Sequence, residues 1–332
     1  MHCYLGVDIG SVSSNLVLLD EDGRLVKKVY LRTRGNPIKA IKEGYQEIME
    51  NTESIRIVGV GTTGSGRYLA AVILGADIVK NEITAHAVAT SYYYPEVRTI
   101  IEIGGQDSKI IILRNGIVYD FAMNTVCAAG TGSFLDQQAS RLNIAIEDFG
   151  QKAIESDQPV RIAGRCGVFA ESDMIHKQQM GYPEKDILMG LCEALVRNYL
   201  SNVGKGKKIE EPIIFQGGVA ANLGLRKAFE RVLKHRIMVP EHYDVMGAIG
   251  SAILAREQRL ESDQPTSFKG GDFILTGEFK TSSFECKGCP NMCEVVCIKR
   301  DNKVLAYWGD RCKRWETSIK DYDRKEDALK VV

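Results

Sequence analysis

Residues 4–19 read YLGVDIGSVSSNLVLL and residues 98–113 read RTIIEIGGQDSKIIIL. Each stretch has an apolar run, an acid followed by Ile and Gly, a few small polar residues, and a second apolar run. Asp8 matches Glu102, Gly10 matches Gly104 and Ser14 matches Ser108. Each copy continues through a turn sequence, DEDG at 20–23 or RNG at 114–116, into a third apolar run. Alternating strands joined by Gly-containing turns predict a three-stranded meander at the start of each half of a duplicated chain.

Outward from the first copy, the pattern predicts a helix at about 37–52, a strand at 55–60 and a Gly-rich turn at 61–66, with helices at 67–75 and 82–92. From the second copy it predicts helices at 132–142, 146–156, 168–180 and 184–203. A strand at 212–215 then leads through Gly217-Gly218 to helices at 222–235 and 244–259. Residues 260–285 contain Pro265, Gly270, Gly271 and Gly277 and read as a connection, with strand character near 273–275 and 278–284. The expected division is 1–95 and 96–259 as two lobes, 260–285 as the connection, and 286–332 as a cysteine-rich module with a charged tail that starts as a helix. The fold class is α/β, duplicated and two-lobed, with that small module appended.

The 332 residues are 44% apolar and 26% charged, the composition of a globular protein. Lys plus Arg equals Asp plus Glu at 43 each, so net charge gives no reason to expect nucleic acid or a membrane surface as partner. The opening MHCYLGVDIGS has neither the basic flank nor the apolar core of a signal peptide, and no apolar run reaches membrane-span length, so the expected compartment is the cytoplasm. In that reducing setting nine cysteines point to metal or redox chemistry rather than disulfides.

A hairpin with Gly at its tip lets backbone N–H groups approach phosphate oxygens, and a neighbouring carboxylate holds Mg²⁺, usually through water. Asp8, Gly10, Ser11 and Ser13 form one such jaw; Glu102, Gly104, Gly105, Gln106 and Asp107 form the other. FQGGVAAN at 215–222 supplies Gly217, Gly218 and Asn222 as a strand-to-helix platform for a nucleoside. Gln106 or Asp107 is the candidate for positioning an attacking water. GTTGSGR at 61–67 is read as a turn rather than a phosphate contact. The three pieces in this order resemble the superfamily of sugar kinases, Hsp70 chaperones and actin, over residues 1 to about 260. The resemblance implies an ATP/ADP site in a cleft between lobes that open and close.

That superfamily does not require a thiol where NTVCAAGTGSF places Cys127, or where GRCGVFAESDM places Cys166. Both precede predicted helices, where the positive helix end lowers a thiol pKa. They read either as separate small core residues or as two ligands of an iron–sulfur cluster that a twofold axis completes. IEIGGQDSK, NTVCAAGTGSF, GRCGVFAESDM and FQGGVAAN together resemble the activators of 2-hydroxyacyl-CoA dehydratases, the BadF/BadG/BcrA/BcrD ATPase family, across residues 4–258. The resemblance implies a homodimer bridging one [4Fe-4S] cluster through Cys127 and Cys166 of both chains. It also implies an ATPase that drives single electrons onto an iron–sulfur dehydratase or reductase, with ferredoxin or flavodoxin as donor. Gly130, Thr131 and Gly132 are then expected on the phosphates while Cys127 holds the cluster. Alternatives within the fold are a small-molecule kinase and an ATPase switch with structural zinc.

The C-terminal cysteines follow C-x2-C-x3-C-x3-C-x14-C from Cys286 to Cys312. EVVCIKR and KVLAYWG flank Asp301-Asn302 and predict a hairpin that returns Cys312 to the knuckle. The expected ligands are Cys286, Cys289, Cys293 and Cys312, for a second [4Fe-4S] cluster or for Zn²⁺, with Cys297 able to replace Cys312. This segment departs from the short activators. Cys3 and Cys192 read as core, and His86, His176 and His242 as surface or capping residues.

Overall fold

The computed structural model describes residues 1–52, 54–262 and 264–315, so the predicted helical start of the tail falls largely outside the described residues. The first half contains β1 (His2–Ile9), β2 (Ser13–Leu19), β3 (Leu25–Arg32), α1 (Pro37–Met49), β4 (Arg56–Thr63), α2 (Arg67–Leu74), β5 (Ile78–Val79) and α3 (Glu82–Tyr93). The second contains β6 (Thr99–Ile103), β7 (Ser108–Arg114), β8 (Ile117–Asn124), α4 (Gly132–Arg141), α5 (Ile146–Ile154), α6 (Gly167–Gln179), α7 (Glu184–Asn202), β9 (Ile213–Gln216), α8 (Leu223–Leu233) and β10 (Ile237–Met238). Then come α9 (Met246–Leu260), α10 (Gly271–Thr276), β11 (Phe279–Glu285), β12 (Glu294–Arg300) and β13 (Lys303–Trp308).

The duplication is complete at the level of topology. One sheet runs β3-β2-β1-β4-β5 and the other β8-β7-β6-β9-β10. In each, the meander is antiparallel and the fourth and fifth strands join in parallel. The RNG turn works because Asn115 and Gly116 both take positive φ, at 52° and 74°, which suits the twist of a two-residue hairpin.

Three local expectations change. Gly61, Thr62 and Thr63 continue β4 instead of turning. A Cβ on Gly61 would strike the Ser251 carbonyl of α9, so this glycine serves close helix–sheet packing. Residues 273–275 lie in α10 rather than a strand. Finally α9, grouped by sequence with the second lobe, packs on the first sheet, where Ala248, Ile249, Ala252 and Ile253 share a core with Tyr4, Val17 and Leu19.

The second lobe's core gathers Phe149, Tyr199, Phe215 and Phe229. The first lobe's core extends into the C-terminal segment, taking Ile274 from α10, Phe279 from β11 and Ile298 from β12. The predicted hairpin turn is present, with Asp301 and Asn302 at φ 49° and 67°. β11 adds a third strand on the other side of β12. No helix among the described residues is long and apolar enough to cross a membrane.

Candidate functional site

The two hairpin tips face one cleft of about 460 Å³. Both close in the same way: Gly10 N–H donates to Ser13 O at 2.8 Å, and Gly104 N–H to Asp107 O at 3.0 Å. The tips meet where a Cβ on Gly105 would clash with Val12, so the absence of a side chain lets the lobes touch. Asp8, Gly10, Ser11, Ser13, Glu102, Gly104, Gly105, Gln106, Asp107, Gly132, Gly217, Gly218 and Asn222 all line the cleft. Asn222 also caps α8, its Oδ1 accepting from Leu225 N–H at 3.0 Å.

Gly130 and Thr131 do not line the cleft. Gly130 lies against Asn198, and the Thr131 hydroxyl bonds to Ala128 O at 2.8 Å. Cys127 precedes a single 3-10 turn, Ala128–Gly130, and α4 begins only at Gly132. The contact with the second hairpin tip is made one step later: Gly132 N–H donates to Gly104 O at 2.9 Å and Ser133 N–H to Gly105 O at 2.8 Å. The Ser133 hydroxyl adds a bond to Gly105 O at 2.6 Å.

Sequence reasoning passed over the cleft floor. Lys109, 2% exposed, ion-pairs with Glu82 at 2.8 Å, Glu102 at 2.9 Å and Asp107 at 2.9 Å. Burial opposes its charge, yet the three carboxylates hold its pKa well above the ordinary value. Asp8 sits between Gly64 and Gly247, either of which would strike its carboxylate if it carried a Cβ. Desolvation, helped by Glu82, Glu102 and Asp107, pushes Asp8 up to about 8. Desolvation likewise pushes Glu102 up to about 7, against the pull of Lys109. His86, expected at the surface, is buried, and desolvation lowers its pKa to about 3. It stays neutral, with Nδ1 accepting from Gln216 Nε2 at 2.9 Å while Gln216 Oε1 accepts from Thr90. A charged residue inside the apolar run SKIIIL was the available signal for Lys109.

Three carboxylates share the Lys109 ammonium and Asp8 lies beside them, a crowding of acids that a divalent cation next to a polyphosphate would offset. Among the described residues no three His, Cys, Asp or Glu side chains are gathered to hold an ion directly.

The loops that carry Cys127 and Cys166, far apart in sequence, meet: Cys127 Sγ lies 4.0 Å from the carbonyl of Arg165, the residue before Cys166. Asn198 Nδ2 ties the loops together, donating to Gly164 O at 2.7 Å and approaching Cys127 Sγ at 3.6 Å. Asn124 Oδ1 pinches the turn by accepting from Cys127 N–H at 3.0 Å. Cys166 is the N-cap residue of α6. Both thiols are partly exposed, and Val126, Val168 and Phe169 beside them in sequence are 95%, 71% and 69% exposed. Cys3 and Cys192 are buried core residues, and burial raises both thiol pKa values.

At the C-terminal end, Cys286, Cys289, Cys293 and Cys312 do not form a close group in the described residues. The Cys312 thiol is 3.8 Å from Asp310 Oδ2, while Cys297 is buried in β12.

A family model described as the BadF/BadG/BcrA/BcrD ATPase family matches residues 5–255. The (R)-2-hydroxyglutaryl-CoA dehydratase activating ATPase of Acidaminococcus fermentans is 33% identical over 253 residues, covering 76% of this chain and 96% of that protein. The crystal structure of component A of that organism's dehydratase superposes with a TM-score of 0.72 at 32% identity, covering 78% of this chain and 100% of the other. The activator of the 2-hydroxyisocaproyl-CoA dehydratase from Clostridium difficile, solved with bound ADPNP, gives 0.71 at 32% identity, covering 78% and 96%.

Proposed function

This chain belongs to the BadF/BadG/BcrA/BcrD ATPase family, and from that premise we propose that it couples ATP hydrolysis to one-electron delivery onto an iron–sulfur partner. The partner class is a 2-hydroxyacyl-CoA dehydratase or a related reductase, in keeping with the relatives' names. Ferredoxin or flavodoxin is the proposed donor, and the cytoplasm the proposed compartment.

In this reading the two Gly tips hold the phosphates of ATP, and Gly217, Gly218 and the start of α8 carry the nucleoside. Asp8 and Glu102 would hold Mg²⁺ through water, and Lys109 keeps the flanking acids in place. Gln106 is exposed in the cleft and Asp107 is drawn to Lys109, so the pair brackets the position for an attacking water. Cys127 and Cys166 of two chains would ligate one [4Fe-4S] cluster, the exposed Val126, Val168 and Phe169 being covered by the second copy. When bound, the cluster supplies the one-electron carrier. Asn198 keeps the two cysteine loops in register with each other.

The observation that carries this reading is the pair of backbone bonds from Gly132 and Ser133 to the second hairpin tip. A tip that shifts between ATP and ADP drags α4 and the Cys127 turn with it, which alters the surroundings of a group held there. The test is anaerobic turnover with a partner dehydratase. Cys127→Ala should abolish electron delivery and retain nucleotide binding. Asp8→Asn should lower ATP hydrolysis about 10²–10³-fold, the scale for losing one transition-state contact, without loss of iron. Full partner activation by Cys127→Ala would overturn the proposal.

A further inference from the structure

The cysteines beyond the family match form a second centre of their own kind. Cys286, Cys289 and Cys293 occupy the loop between β11 and β12. It is closed by Cys286 N–H donating to Cys293 O at 2.8 Å and by Met292 N–H donating to Cys289 O at 3.2 Å. Trp315 Nε1 donates to Cys286 Sγ at 3.3 Å. Its ring is packed against Phe284 and Tyr307, with centroids 4.8 and 5.3 Å away, so an aromatic wall backs the sulfur. A Gly288 N–H also donates toward the same sulfur. These N–H donors on sulfur are the kind that tune metal-bound thiolates.

The fourth position is decided by the sheet. Cys297 pairs with Tyr307 of β13, is 4% exposed and lies within β12 rather than in the loop. Cys312 follows β13 in a turn anchored by the buried Asp310, whose Oδ2 accepts from Trp315 N–H at 2.9 Å. The same residue pair therefore fixes the Cys312 turn and contacts the Cys286 sulfur. Asp310 Oδ1 is buried with no hydrogen-bond partner, so this turn holds polar capacity beyond what the described contacts use.

The grouping also bears on the metal. A single zinc ion needs four sulfurs, each about 2.3 Å from one point, and commonly draws them from two close pairs. A cubane gives each thiolate its own iron, so its ligands stand farther apart, and three close cysteines plus a remote one is a cluster spacing. Here three thiols share the loop between β11 and β12, and the fourth comes from beyond the β12–β13 hairpin. We infer that Cys286, Cys289, Cys293 and Cys312 bind a [4Fe-4S] cluster. This site is separate from Cys127 and Cys166, because β11 and β12 are built into the first lobe's core while those two thiols belong to the second lobe. Ligation displaces the Cys312 thiol proton, now directed at Asp310.

The test uses the full chain carrying Cys127→Ala and Cys166→Ala, so that it does not depend on the intersubunit cluster. After anaerobic reconstitution with iron and sulfide, this variant should retain about four iron and four sulfide per chain, with visible absorbance bleached by dithionite. Adding Cys289→Ser, at an exposed loop position, should remove most of that iron. Adding Cys312→Ser should do the same, and adding Cys297→Ser should leave the iron in place. Circular dichroism of each variant separates ligand loss from unfolding. Stoichiometric zinc without sulfide, no bound metal, or iron retained in the folded Cys289→Ser variant would overturn the inference.

Discussion

The two hairpin jaws have the same strand order and the same closing hydrogen bond, yet they are held from behind in different ways. In the first, Asp8 faces Asn15 across the strand pair; in the second, Glu102 faces Lys109 at the equivalent register. Asn15 makes a long bond from Nδ2 to Asp244 O at 3.3 Å, and its Oδ1 is buried without a partner. Lys109 instead ties Glu102 and Asp107 of its own lobe to Glu82 of the first. The tip carbonyls differ too. Val12 and Gly10 are held by Thr33, which follows β3, whereas Gly104 and Gly105 are held by Gly132 and Ser133, in the segment that follows β8 and begins with the cysteine turn. Duplication therefore supplied two equivalent grips, and divergence of the segment after the third strand turned one of them into a connection to Cys127.

The largest effect expected from breaking this asymmetry is at Lys109. Lys109→Met leaves three carboxylates around a buried site, and urea unfolding should show a loss of about 3–5 kcal/mol. Asn15→Leu removes only one long hydrogen bond and should cost about 1 kcal/mol or less. Equal losses would mean that the two jaws are braced alike. A second measurement uses pH. Asp8 and Glu102 have native pKa values raised to about 8 and about 7, above those of an unfolded carboxylate near 4. The folded state thus binds more protons than the unfolded chain in that interval, and stability must fall as pH rises through it. The melting temperature of metal-free protein should drop between pH 6 and pH 8, and Mg²⁺ with ATP should flatten the drop. A melting temperature that rises with pH would contradict this charge balance. The smallest effect is expected at Ser133→Ala, which removes one hydroxyl bond to Gly105 and should cost about 1 kcal/mol of stability. Its sharper readout is coupling: electrons delivered per ATP should fall several-fold while hydrolysis persists. If the ratio is unchanged, the link through α4 is not the transmitting element.

Most strands and helices were legible because their signals are local. The acid-Ile-Gly turns, the Asn115-Gly116 and Asp301-Asn302 hairpins and the apolar periodicities depend on neighbours within a few residues. Gly61 misled because glycine serves both turns and close packing, and only the approach of α9 distinguishes them. The strand-like FIL of α10 forms a helix whose Ile274 enters the first lobe's core. In the site, thirteen expected residues line the cleft, while Gly130 and Thr131 stand behind it because a 3-10 turn separates Cys127 from α4. Glu82, His86, Lys109 and Gly247 were missed, since each acquires its role from a partner far along the chain.

The sequence by itself determined the duplicated meanders, the glycine-tipped jaws and the family resemblance, all of which are written in contiguous residues. Tertiary structure alone decided that α9 returns to the first sheet, that one lysine gathers acids from both lobes, and that the Cys127 and Cys166 loops meet over Asn198. Those facts rest on burial and on contacts between distant segments. There, the cost of isolating charge from water and the close packing of helix on sheet select one arrangement from many that the local pattern allows.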